Sequence, residues 1–176
     1  MEREDLVRGV GSIVLVGDGG GSAHALVDEL RLRRAVRAVL DARLWPVVVV
    51  VSDPADEFRA SLAGLPVATV ASEARAAGQA GALRRGLMRV AECAPEAVGV
   101  VVVACEPPVD PDHLCALAAA ARPGRALAAS SHDGQLGLPV FFPAAVFPEL
   151  KALPAHERCT DVLARHAGEV EAVVRR

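Results

Sequence analysis

The sequence predicts an α/β fold with a mainly parallel sheet covered by helices on both faces. Two observations carry this. Short aliphatic runs recur along the chain, and the strongest are continuous rather than alternating, as in strands buried on both sides. Segments with helical spacing separate them, so successive strands join through crossovers, which are right-handed in such sheets. Aromatic residues make up 3% of the chain against 52% hydrophobic residues, so the core must be filled by aliphatic side chains and alanine.

Ser12–Val16 (SIVLV) reads as the first strand. A helix follows in which Leu32, Val36, Val39 and Leu40 form an apolar stripe, with Arg33, Arg34 and Arg37 on other faces. Pro46–Val51 (PVVVVV) reads as a second strand, and Asp53-Pro54 then pairs an N-cap with a proline at the first helical position. Val67–Val70 is a weaker strand, followed by a helix that starts near Gly78 and buries Leu83, Leu87 and Val90. Val98–Ala104 (VGVVVVA) is the next strand, and Asp110-Pro111 opens an alanine-rich helix through Ala121. Ala126–Ala129, Pro139–Phe142 and Val170–Val174 supply the remaining strands. No repeat or linker interrupts the pattern, and the expectation is one domain over residues 1–176.

Composition excludes several functions. A net charge of -3 and a pI near 5.9 give no global attraction for nucleic acid, and few aromatics leave no stacking platform for single strands. Cys93, Cys105, Cys115 and Cys159 form no CxxC pair and read as reduced thiols. The N-terminal MEREDLVRGVG lacks an apolar signal core, and apolar runs such as Pro46–Val51 are too short to span a bilayer. The expected location is cytoplasmic, with no membrane partner.

In open α/β sheets ligands bind beyond the carboxyl ends of the strands, and three loops leaving such ends carry unusual residues. Gly17-Asp18-Gly19-Gly20-Gly21-Ser22 follows the first strand. Its glycines let backbone N–H groups approach a phosphate ahead of a helix N-terminus, although Asp18 repels an anion unless a cation intervenes. Ala104-Cys105-Glu106-Pro107-Pro108 follows the fourth strand, and Glu106 is the carboxylate there able to hold Mg²⁺. His132-Asp133-Gly134-Gln135-Leu136-Gly137-Leu138-Pro139 forms a tight loop before a strand. A flexible turn, a solvated glutamate and a surface turn are the plainer readings of the three. His24, His113, His156 and His166 are scattered and read individually as surface or satisfied histidines.

The order of these segments resembles the MobA-like NTP transferases, especially the molybdenum cofactor cytidylyltransferase and guanylyltransferase branch. The likeness runs from Ser12 to about Val174. It is best over His132–Leu150 (HDGQLGLPVFFPAAVFPEL), which is similar to a family stretch of Asp-Gly, two variable residues and Gly-His-Pro-Val ahead of a Phe-Pro-Glu-Leu helix. Gly78–Leu87 (GQAGALRRGL) resembles the family's glycine-rich helix start, and Val100–Pro107 stands where the family has an apolar strand ending in Leu-Gly-Asp-Gln-Pro. The resemblance implies a three-layer α/β/α, Rossmann-like domain of the nucleotide-diphospho-sugar transferase type. It implies transfer of CTP or GTP onto a molybdopterin-like acceptor phosphate, with Mg²⁺ and release of pyrophosphate, and a molybdenum enzyme as a further partner. By position, Gly17, Asp18, Gly19, Gly20, Gly21, Ser22, His24, Gly78 and Gln79 fall on nucleotide-binding segments, Gly134, Gly137 and Leu138 on the acceptor segment, and Glu106 beside the metal position.

The chain departs from the family pattern at charged positions. The family's loop carries an arginine and a lysine. Here the arginine is missing, His24 stands at the lysine, Cys105 at the metal-binding aspartate and Leu138 at the histidine of Gly-His-Pro. Cations that neutralise developing phosphoryl charge are worth several kcal/mol, roughly. A thiol matches hard Mg²⁺ poorly. Adjacent strand residues point to opposite faces, so Glu106 replaces the aspartate only if the chain turns after the strand. Three readings follow: a transferase with a rebuilt site, a non-catalytic relative that binds a ligand or partner, and a dinucleotide-binding protein using Gly17–Ser22 with Asp53 on a ribose.

Overall fold

A computed structural model describes residues 9–16, 25–51, 55–72, 77–119 and 127–175. In chain order the elements are β1 (Val10–Leu15), α1 (Ala25–Asp41), β2 (Val47–Val51), α2 (Ala55–Ser61), β3 (Ala68–Ala71), α3 (Gly78–Cys93), β4 (Gly99–Ala104), α4 (Pro111–Ala118), β5 (Leu127–His132), β6 (Gln135–Pro143), a 3₁₀ turn (Ala144–Val146), α5 (Phe147–Lys151), α6 (Cys159–Arg165) and β7 (Val170–Val174). The strands form one seven-stranded sheet in the order β3-β2-β1-β4-β6-β5-β7. All neighbours are parallel except β6, which runs antiparallel to both β4 and β5. The expected α/β/α fold is therefore observed, with one reversed strand in an otherwise parallel sheet.

Strand alternation splits the core into two layers. Val10, Val14, Val47, Val49, Val51, Val101, Val103 and Phe141 face one layer, closed by α1 and α4. Ile13, Val48, Val50, Val100, Val102, Val140 and Phe142 face the other, closed by α3, α5 and α6. β-branched side chains suit this pleated, doubly covered surface.

The antiparallel return comes from a two-residue hairpin. Asp133 (φ 49°) and Gly134 (φ 79°) both adopt positive φ between the paired His132 and Gln135, the backbone of a type I′ turn. The sequence reading saw a tight loop here, and the hairpin explains it. Further along, Ala129 pairs with Val140 but Ser130 pairs with Gly137, so Leu138 and Pro139 bulge from the β5–β6 ladder. The α4 helix opens as expected, with Asp110 Oδ1 accepting the Asp112 N–H at 2.7 Å and Pro111 in the first turn. The short helix α6 carries too little periodicity to be read from sequence. The expected N-cap at Asp53 and the end of the alanine-rich helix at Ala121 lie outside the described residues. No helix among the described residues is long and apolar enough to cross a membrane.

Candidate functional site at the carboxyl edge of the sheet

The ends of β1, β4 and β5, the start of β6 and the start of α3 lie along the carboxyl edge of the parallel strands, which follows from their common direction and from the antiparallel entry into β6. Sheet topology thereby gathers the segments singled out in the sequence. Gly17, Asp18, Gly19, Gly20, Gly21, Ser22 and His24 lie outside the described residues, between the end of β1 and the start of α1.

The β4 end is built around Cys105 and Glu106. The Cys105 thiol donates to the Leu15 carbonyl of neighbouring β1 at 3.6 Å and packs half-buried beside the α1/α4 layer. Glu106, two residues beyond the last β4 residue, carries its carboxylate to α1, where Oε1 lies 2.5 Å from Nε of Arg31. The chain thus bends after Ala104. Glu106 reaches the same side of the sheet as Cys105, where continued strand alternation would have sent it to the opposite side. Both partners of the pair are about half exposed, so it is open to exchange with solvent or a ligand.

At the α3 start, Gly78 has φ 55°, and a Cβ there would stand 2.5 Å from the Ala155 carbonyl oxygen. Only glycine fits this combination of positive φ and close backbone approach. Gln79 Oε1 accepts the Cys159 N–H at the start of α6, at 3.0 Å. Gly78 and Gln79 therefore bind the α6 start to α3, a structural task that the sequence reading did not assign to them. Arg84, on the same helix, donates to the Leu153 carbonyl at 3.0 Å.

On the acceptor segment, Gly134 and Gly137 have open space where a side chain would stand, and Leu138 packs half-buried against the α3/α5/α6 layer. His132 and Asp133 do pair, Nε2 to Oδ2 at 3.3 Å, on a largely exposed turn. Beneath this segment lies a buried polar chain that sequence reasoning missed. His113 Nε2 lies 2.7 Å from Ser130 Oγ, and Ser130 Oγ donates to the Pro139 carbonyl at 2.8 Å. With the hydroxyl proton spent on Pro139, Ser130 accepts from a neutral His113 that carries its proton on Nε2. Burial holds the His113 pKa below its ordinary value, Arg175 pushes the same way, and Asp110 opposes them. The chain joins α4 to both strands at the bulge and satisfies the Pro139 carbonyl there. His113 and Ser130 are 17 residues apart, and Ser130 and Pro139 are 9 apart, so no local pattern announced it.

A second histidine cluster stands on the α5/α6 layer. His166 Nε2 is 2.8 Å from Glu149 Oε2, and Arg165 contacts both Glu149 and Glu157. The hydrogen bond to Glu149 raises the His166 pKa and lowers that of Glu149. Among the described residues no three His, Cys, Asp or Glu side chains converge as a metal site.

Comparisons with known proteins agree with this architecture. No curated protein matches the chain. The structure is similar to that of Rv0371c from Mycobacterium tuberculosis H37Rv, with a TM-score of 0.74 at 23% identity over 94% of this chain and 87% of that one. A manganese complex of Rv0371c matches with a TM-score of 0.69 at 21% identity, over 94% and 87%. A nucleotidyl transferase from Methanothermobacter thermautotroptrophicus (Mth528) matches with a TM-score of 0.74 at 16% identity, over 94% and 86%. The family model of the MobA-like NTP transferase domain matches residues 25–170, and the chain belongs to that family.

Proposed function

We propose that this chain is a divalent-metal-dependent nucleotidyltransferase of the molybdopterin cytidylyl- or guanylyltransferase type, working with a rebuilt cation set. The observation that carries the reading is Glu106, an oxygen donor that leaves β4 at the carboxyl edge and stands half-exposed on the α1 side. This donor suits Mg²⁺ or Mn²⁺, hard ions that take one or two protein carboxylates and complete their shell with phosphate oxygens and water. The neighbouring thiol of Cys105 is turned to the Leu15 carbonyl, which leaves the carboxylate as the donor of this loop. A bound ion supplies charge neutralisation on the triphosphate. The backbone of Gly17, Gly19, Gly20 and Gly21, with Ser22, cradles phosphate oxygens ahead of α1, and Asp18 adds negative charge next to the ion. His24 supplies a hydrogen-bond donor, and Gly78 and Gln79 border the nucleotide from the α3 side. The acceptor segment with Gly134, Gly137 and Leu138 orients a phosphorylated pterin. An oxygen of its phosphate attacks the α-phosphorus of CTP or GTP, the bond to the β-phosphate breaks, and pyrophosphate leaves.

The Gly17–His24 loop contains neither lysine nor arginine, and this favours a second reading. In it the chain is a non-catalytic relative that holds a nucleotide or pterin for a molybdenum enzyme. Pyrophosphate release from CTP and GTP, with Mg²⁺ and a phosphorylated pterin, separates the two readings. Turnover that falls at least a hundredfold in Glu106→Ala supports the transferase. Ligand binding without turnover supports the second reading.

A further inference from the structure

The outer face of α1 carries a groove that the nucleotide site does not use. It lies between α1 and the entry to α4, has a volume of about 460 Å³ and opens to solvent. Arg33, Arg34 and Arg37 line it from α1, and Leu30, Val109 and Pro111 give it apolar surface. Leu30, Arg34, Arg37 and Asp41 follow one another along one stripe of the helix, opposite the buried Leu32, Val36 and Val39.

Two features of this stripe break local rules. Leu30 is a large apolar side chain left 71% exposed on a helix that buries its other apolar residues here. Arg37 stands four residues from Arg33 and three from Arg34, spacings at which like charges repel. Arg33 donates to the Ser61 carbonyl, but among the described residues neither Arg34 nor Arg37 has a hydrogen-bond or ion-pair partner. Asp41 is the acidic side chain among the groove's lining residues, against three arginines, on a chain whose net charge is -3. Positive charge is thus gathered here against the sign of the whole molecule, with no compensating contact inside the fold.

We propose that this groove docks an acidic segment of a partner protein. An apolar side chain of that segment seats against Leu30, Val109 and Pro111, and its carboxylates meet Arg34 and Arg37. The lining decides between occupants. A purely apolar partner would leave the guanidiniums desolvated and unpaired. A nucleic-acid strand makes no use of exposed leucine and valine, and no aromatic side chain lines the groove to stack a base. Carboxylates suit the planar fork of arginine, and an apolar anchor between them covers Leu30. The contact is small and charge-assisted, so it is weak and falls off as salt rises. It is independent of the transferase reading, because no residue of the nucleotide site takes part.

The test is fluorescence anisotropy of a labelled peptide of mixed glutamate and leucine, titrated with the full chain. Three further probes accompany it: a peptide with glutamine for glutamate, one with serine for leucine, and a single-stranded oligonucleotide of the same charge. The proteins are the wild type, Arg34→Glu, Arg34→Glu/Arg37→Glu, Leu30→Ser and Arg89→Glu. Arg89→Glu makes the same charge change on α3, which closes the opposite layer of the sheet. Arg34→Glu should weaken the glutamate–leucine peptide about tenfold or more, and the double substitution should abolish binding. Leu30→Ser should weaken it by a smaller factor, and Arg89→Glu should leave it unchanged. Arg34→Glu should also unfold thermally no earlier than the wild type, because it removes like-charge repulsion from the helix, so lost binding is not lost folding. Binding that survives the double substitution, or that Arg89→Glu weakens equally, overturns the groove as the site. Tighter binding of the oligonucleotide or of the leucine-free peptide overturns the apolar-anchored acidic segment as its occupant. A wild-type chain that binds no probe, or prefers the glutamine peptide, overturns the proposal.

Discussion

Strands β3-β2-β1-β4 and strands β6-β5-β7 share one sheet, yet different interactions hold its two halves. In the first half every ladder is parallel and regular, and each strand of the β2-β1-β4 centre is buried over almost its whole length. In the second half a strand reverses, the β5–β6 register slips at Ala129/Ser130, and a His113–Ser130–Pro139 hydrogen-bond chain occupies the slip. The contrast shows how the fold divides its work. The regular half presents strand ends at fixed heights, from which the β1 and β4 loops carry Gly17–His24 and Glu106. The irregular half shapes a segment, Gly134–Pro139, whose backbone departs from a regular ladder and needs polar support from below.

The largest expected effect is at Phe141, which fills the α1/α4 layer on the reversed strand. Phe141→Ala should destabilise the protein by about 3–5 kcal/mol in urea unfolding, since it removes a fully buried ring and leaves a cavity in that layer. A loss as small as that of a surface substitution would mean that the irregular half contributes little to the cooperative unit. The seam between the halves comes next. A Cβ on Gly99 would stand 2.4 Å from the Phe141 ring and 2.7 Å from the Phe142 carbonyl oxygen. Gly99→Ala should cost about 2–3 kcal/mol by overpacking, because the carbonyl belongs to the paired strand and cannot swing away.

Ser130→Ala should cost about 1–3 kcal/mol by leaving a buried His113 donor unmatched. The same chain predicts a pH dependence. The folded pKa of His113 lies below its ordinary value, so at mildly acidic pH the unfolded chain binds a proton that the folded chain refuses. The stability involved is fully present above the ordinary histidine range and is lost as pH falls through it, and His113→Phe should flatten that slope. His166 has the opposite sign. Its pKa is raised by Glu149, so its small contribution is present at low pH and fades as pH rises through its folded value. The smallest effect belongs to the regular half. Ser12 Oγ is fully buried and has no hydrogen-bond partner among the described residues, and Ser12→Ala should leave stability unchanged or raise it by about 1 kcal/mol.

The same contrast explains what was legible in the sequence. Valine runs such as Val47–Val51 and Val100–Val103 announce buried parallel strands directly, because period and composition are local signals. Asp110-Pro111 announces its helix by capping chemistry alone. The hairpin was half legible, since Asp133-Gly134 is turn chemistry but the direction of the returning strand depends on its neighbours. The Leu138-Pro139 bulge, the Ser130–His113 contact and the Arg31–Glu106 pair were not legible. Each joins residues from separate elements, and only the assembled sheet brings them together. Glu106 itself was found as a carboxylate at a strand end. Its side of the sheet depended on a bend after Ala104 that leaves no mark in residue type.

The proposed metal–nucleotide site at the carboxyl edge has Glu106 as its protein ligand. Thermal unfolding with CTP or GTP, each with and without Mg²⁺, tests it most directly in the wild type and in Glu106→Ala. A ligand at roughly 100 times its dissociation constant adds about 2.7 kcal/mol, enough to move the midpoint by several degrees. The expected result is a rise with one of the two nucleotides that requires Mg²⁺ and disappears in Glu106→Ala. No rise with either nucleotide, or a rise that is indifferent both to Mg²⁺ and to Glu106, would contradict it.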